Sequence, residues 1–94
     1  MAIKSFDCKK TEAVFNGKKG DKKWQSFLRV AERKLKIVHA AVKLSDLKAP
    51  PNNKLEKLKK ERKGQHSIRI NDQWRVCFKW EDGDAHNVEI CDYH

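Results

Sequence analysis

No apolar run in this chain is long enough to cross a membrane. Its first residues set Lys4, Asp7, Lys9, Lys10 and Glu12 among single apolar side chains instead of building the core of a signal peptide. A cytoplasmic protein is therefore expected. Cysteine is sparse and odd in number, at Cys8, Cys77 and Cys91, and without an export signal this favours reduced thiols over a disulfide framework. Cys77 and Cys91 read as small strand residues. A paired C-x-x-C array is missing too: Cys91 and His94 with the distant Cys8 and Cys77 do not have zinc-site spacing, so no metal or other cofactor is expected. Repeats and low-complexity tracts are absent.

Acids are in short supply. Lysine and arginine number 22 against 13 aspartates and glutamates, for a formal charge of +9 and an isoelectric point near 9.6. A field of that sign gathers phosphate polymers, so a polyanion is the expected ligand. Charge alone is a weak signal, because Lys9, Lys10, Lys18, Lys19, Lys22 and Lys23 also fit a merely solvated face. Residues 1–94 suffice for one domain only.

What is present falls into a helical half and a strand half, divided by Pro50-Pro51-Asn52-Asn53. Residues 3–6 alternate like a short edge strand, and residues 11–15 read as a brief helix closed by Asn16-Gly17. Asp21 is placed to cap a long helix whose apolar stripe is Trp24, Phe27, Leu28, Ala31, Leu35, Val38 and Val42. Glu32 and Lys36 stand four apart on it. Ser45-Asp46-Leu47 predicts a short capped turn. After the prolines come an ambiguous strand over 55–59 and better ones over 64–70, 74–80 and 85–92, with turns at Asn71-Asp72 and Asp82-Gly83.

In the third of these strands Trp74, Val76, Phe78 and Trp80 alternate with Arg75, Cys77 and Lys79. Ile68 and Ile70 alternate with Arg69, and Val88 and Ile90 with Glu89 and Cys91. The apolar faces need the long helix, which predicts an α+β domain: helices packed on one face of a small, twisted, mainly antiparallel sheet. Arg69 and Arg75 then share the opposite, open face, either as a phosphate site or paired with acids such as Glu89. His66 shares parity with Ile68 and Ile70 and is expected to point toward the helices. His39 reads as packing or surface, and His86 as a strand start. The chain closes on Cys91-Asp92-Tyr93-His94, an imidazole, a phenol and carboxylates directly after an apolar strand.

The residues from Gly64 through Ser67-Ile68-Arg69-Ile70-Asn71 and Trp74-Arg75-Val76-Cys77-Phe78, the opening Ile3-Lys4-Ser5-Phe6, the closing Asp92-Tyr93-His94, Ala31-Glu32-Arg33-Lys34-Leu35 and Leu47-Lys48-Ala49-Pro50-Pro51 together resemble the HigB (host inhibition of growth) toxins, a branch of the RelE-like superfamily. The resemblance covers nearly the whole chain. It implies the RelE-like microbial ribonuclease fold and a bacterial type II toxin that cuts messenger RNA in the 30S decoding site of a translating ribosome without a metal. The implied partner is a HigA-like helix-turn-helix antitoxin, through which alone operator DNA is reached.

Cleavage of that kind needs a base for the 2′-hydroxyl, an acid for the leaving 5′-oxygen and cations for the phosphoryl charge. By resemblance, Tyr93 and His94 fall on the terminal catalytic pair, with Asp92 orienting them, and Arg75 falls on the strand arginine that stabilises phosphate charge. Lys59 falls in the basic segment with Lys57, Lys60 and Arg62, which with Arg69 bind phosphate. One departure is Glu56, where some relatives carry a histidine. Two other readings stand beside the toxin. One is a non-catalytic basic nucleic-acid-binding module stacking bases on Trp74, Trp80 and Tyr93. The other is an interaction protein with an acidic partner.

Overall fold

The computed structural model describes residues 2–59 and 62–92. Two α-helices, α1 (Lys9–Phe15) and α2 (Leu28–Ala40), precede four strands: β1 (Glu56–Lys57), β2 (Gln65–Arg69), β3 (Arg75–Glu81) and β4 (Asp84–Cys91). The strands form an antiparallel meander in the order β1-β2-β3-β4. This is the α+β arrangement that the alternating patterns predicted.

Each element has a local cause. Ala31, Leu35 and Val38, one helical turn or so apart, are all fully buried and give α2 the face that packs on the sheet. Asn71 Oδ1 accepts from the backbone N–H of Gln73 and Trp74 at 2.9 and 2.8 Å, closing the β2–β3 turn. Asp82 and Gly83 both have positive φ, 52° and 80°, the backbone a two-residue hairpin requires. The expected edge strand at residues 3–6 reduces to isolated parallel bridges, Ile3 to Ala85 and Phe6 to Val88, on the β4 edge.

Three expectations are corrected. Asp21 does cap, accepting from Lys23 N at 2.9 Å, but the element it opens is a 3-10 helix, Lys22–Phe27, that runs on into α2. Spacing of three puts Trp24 and Phe27 on one side of a 3-10 turn, so both still reach the core. Val42 lies outside the core and is 75% exposed. The Asp46 carboxylate accepts from the backbone N–H of Val42 and Lys43, 3.0 Å each, starting the next turn and ending the helix at Ala40. Lys36 lies over the Phe15 ring, 4.1 Å from its centroid, instead of serving a ladder with Glu32.

Cys77 and Cys91 are joined by a disulfide, where reduced thiols were expected. Sequence spacing hid the cause: Cys91 is the register partner of Arg75, two residues from Cys77, so the two cysteines are diagonal neighbours on one sheet face. With Leu58 they form a small buried cluster on the face away from α2. That face is therefore partly covered by the chain approaching and leaving β1.

Candidate functional site

Cross-strand partners share a face, so the register maps the sheet surface opposite α2 directly. One row runs Glu56, Ser67, Cys77, Glu89 across all four strands, and the next holds Arg69, Arg75 and Cys91. Arg69 and Arg75 thus stand directly opposite each other on neighbouring strands. Two guanidinium groups in that relation repel unless anions lie between or beside them. Arg69 is drawn to Asp72 at 2.5 Å, and this pairing holds the Asp72 carboxyl below its usual range.

Arg75 was expected on an open surface; it is instead 8% exposed. Its Nε donates to Ser67 Oγ at 2.6 Å, its Nη2 to the Lys54 carbonyl at 2.6 Å, and Glu56 Oε1 stands 3.4 Å from that same Nη2. A desolvated guanidinium requires such acceptors, and losing one exposes a penalty of about 1–3 kcal/mol. Lys54 supplies its carbonyl from a left-handed backbone, φ 45° and ψ 57°, which is uncommon for a residue with a side chain.

Glu56 is the residue that sequence reasoning undervalued. Strand parity places it on the Arg75 face, opposite Ser67, with its side chain half exposed. Lys57, the next residue, pairs with His66 and so turns to the helix side of the sheet rim. The signal that could have found Glu56 is this one-residue parity, which the ambiguity of the 55–59 strand concealed.

The remaining candidates are dispersed. Arg62 bonds Glu89 at 2.6 Å and the Gln65 amide oxygen at 3.2 Å, tying the segment after β1 to β4. Lys59 is exposed beyond β1, and its carbonyl receives Arg62 N at 3.3 Å. Asp92, exposed at the end of β4, accepts from Gln73 Nε2 at 2.8 Å, which anchors it to the β2–β3 turn. Lys60, Tyr93 and His94 lie outside the described residues. His66 stacks on Phe78 with centroids 6.3 Å apart, on the helix side as expected; burial first, then the Lys57 charge, pushes its pKa down. His39 accepts from Ile3 N at 3.4 Å and meets Phe15 edge-on.

Helices packed on one face of a four-stranded antiparallel sheet, with a buried, anchored arginine on the other, partly covered face, have the architecture of the RelE-like fold. Solved structures agree: the YoeB–YefM complex from Staphylococcus aureus matches with a TM-score of 0.57 at 21% identity, over 100% of this chain and 97% of that one. The model of the HigB-like toxins, RelE-like toxins of type II toxin-antitoxin systems, matches residues 4–94, and the chain belongs to that family. Toxin HigB-1 of Vibrio cholerae is 51% identical over 58 residues, 62% of this chain and 61% of that protein's length. Endoribonuclease HigB of Proteus vulgaris is 32% identical over 98% of this chain and 99% of its own.

Proposed function

We propose that the chain is the toxin of a type II pair, an endoribonuclease that cuts messenger RNA on the translating ribosome and so halts translation and growth. The observation that carries this reading is Arg75, a buried cation held on the sheet face away from α2, opposite Arg69 and beside Glu56. Membership in a toxin family with a relative named as an endoribonuclease supports it.

The chemistry follows from these positions. The 2′-oxygen gives up its proton and attacks the adjacent phosphorus, the bond to the 5′-oxygen breaks, and that oxygen takes a proton as it leaves. Arg75 meets the charge growing on the non-bridging oxygens, a task for a fixed and desolvated cation. Glu56, a carboxylate where some relatives have histidine, is placed beside Arg75 as the proton acceptor. Tyr93 and His94 serve the leaving oxygen with Asp92 orienting them, Lys59, Lys60, Arg62 and Arg69 bind the flanking phosphates, and Lys57, on the helix-side rim, adds its charge to the attraction of RNA. The 30S decoding site presents the message.

The partner that silences the toxin is a HigA-like helix-turn-helix antitoxin, and DNA is reached only through it. The Staphylococcus aureus relative, solved as a toxin-antitoxin complex, supports an antitoxin of some kind. The rival reading, a passive module that stacks bases on Trp74, Trp80 and Tyr93, is weakened at its two tryptophans: Trp74 packs against Trp24 and Phe27 with centroids 6.4 and 5.8 Å apart, and Trp80 packs edge-on against Phe78 at 6.4 Å, while Tyr93 lies outside the described residues.

Inducing the chain in bacteria and mapping new 5′ ends tests the proposal. Growth arrest with cuts clustered at fixed codon positions is expected, and a folded chain lacking Tyr93 and His94 should be harmless. Intact messages under normal growth would sink the enzyme reading; killing by the folded truncation would remove those two residues from the mechanism.

A further inference from the structure

Lys34, in the middle of α2, is only 6% exposed. Its Nζ donates to Asn53 Oδ1 at 2.5 Å and reaches Asn52 Oδ1 at 3.4 Å. Among the described residues no carboxylate pairs with it. Burial first, then the charges of Arg33 and Arg69, pushes its ammonium below the usual lysine range. Amide oxygens compensate a desolvated ammonium poorly, and an unbranched apolar side chain would fill the same space without that penalty, offset by the loss of the donor to the buried Asn53 Oδ1. Stability gives little reason for a lysine here.

What this hydrogen bond does is hold Asn53. That side chain is fully buried, and its Nδ2 donates to the carbonyls of Leu47 and Ala49 at 3.1 Å each, so the turn before β1 is wound around it. The next residue is Lys54, in its left-handed conformation, and the Lys54 carbonyl is the acceptor for Arg75 Nη2. Unfavourable backbone persists only where neighbours over-determine it. A short path of covalent and hydrogen bonds thus joins the covered side of the sheet to the guanidinium on the other side.

We propose that Lys34 is a positioning residue: by clamping Asn53 it holds the Lys54 carbonyl where it orients Arg75 toward phosphate. This rests on the ribonuclease reading above. In the full-length chain, Lys34→Met should lower single-turnover cleavage on saturating programmed ribosomes about tenfold to a hundredfold. The ribosome concentration giving half-maximal cleavage should stay unchanged, and the unfolding midpoint should move by no more than about 5 °C. Solvent exchange of the Arg75 Nε–H, followed by nitrogen-15 NMR, should quicken about tenfold while that of Arg62 does not.

The exchange measurement needs no catalysis. If the unsubstituted chain fails to cut RNA, the function reading falls while the Arg75 signal still decides the positioning role. Lys34→Gln, which keeps a donor beside Asn53, is measured in parallel. A folded variant with the original cleavage rate and Arg75 protection overturns the proposal. So does a loss confined to ribosome affinity, and so does failure of both variants to fold, which would make Lys34 structural.

Discussion

Arg75 shows how a residue can serve both fold and chemistry. Its guanidinium satisfies Ser67 and the Lys54 carbonyl while facing Arg69 across the strand pair. Arg75→Lys keeps the charge but not the planar fork. Cleavage on programmed ribosomes should fall about a hundredfold or more, and urea unfolding should show a loss of about 1–3 kcal/mol. A lysine variant with the original rate would reduce Arg75 to a strut. His66 makes a pH prediction. Burial depresses its folded pKa, so the folded state favours the neutral ring while the unfolded ring takes a proton near pH 6.5. Its contribution is therefore present above about pH 6.5 and lost as pH falls toward its lowered folded value. The carboxyls of Asp21, Asp46 and Asp72, all lowered from 3.8, act at more acid pH. His66→Phe should flatten the stability profile between pH 7 and 5, and an unaltered slope in that interval would assign it elsewhere.

Among elements, the junction of α1 with the 3-10 helix is the least forgiving. Gly20 has φ of +67°, and a Cβ there would come within 2.6 Å of Val14 Cγ2 and 2.9 Å of the Lys10 carbonyl. Gly20→Ala should destabilise by about 1–3 kcal/mol from backbone strain, with the steric overlap added. Chemical denaturation measures it, and an unchanged midpoint would mean that the loop re-forms freely. β1 is the most informative element for the site. Though only two residues long, its register sends Glu56 to the Arg75 face and Lys57 to the opposite rim. The parity of β2 and β3 was readable from their own alternation. That of β1 was not, because a strand so short carries no period.

At the scale of the molecule, the +9 charge acts at long range and the row around Arg75 at short range. Replacing Lys57, Lys59 and Lys60 together by alanine should weaken ribosome association and lower the slope of log affinity against log salt by about 0.7–0.9 for each phosphate that is no longer neutralised. An unchanged slope would leave these lysines as solvated surface.

The sequence by itself determined the α+β class, the helix-facing stripe of Ile68, Ile70, Val76, Phe78, Val88 and Ile90, the hairpin turn at Asp82-Gly83 and the shared face of Arg69 and Arg75. Periodicity and turn chemistry are local, so they survive in the order of residues. Only the tertiary structure decided that Arg75 is buried in a hydrogen-bonded cradle, that Glu56 enters that cradle, that Cys77 meets Cys91 diagonally, and that Lys34 reaches the prolyl turn. Those facts depend on which segments cross in space. No pattern within one segment encodes the partner it will meet.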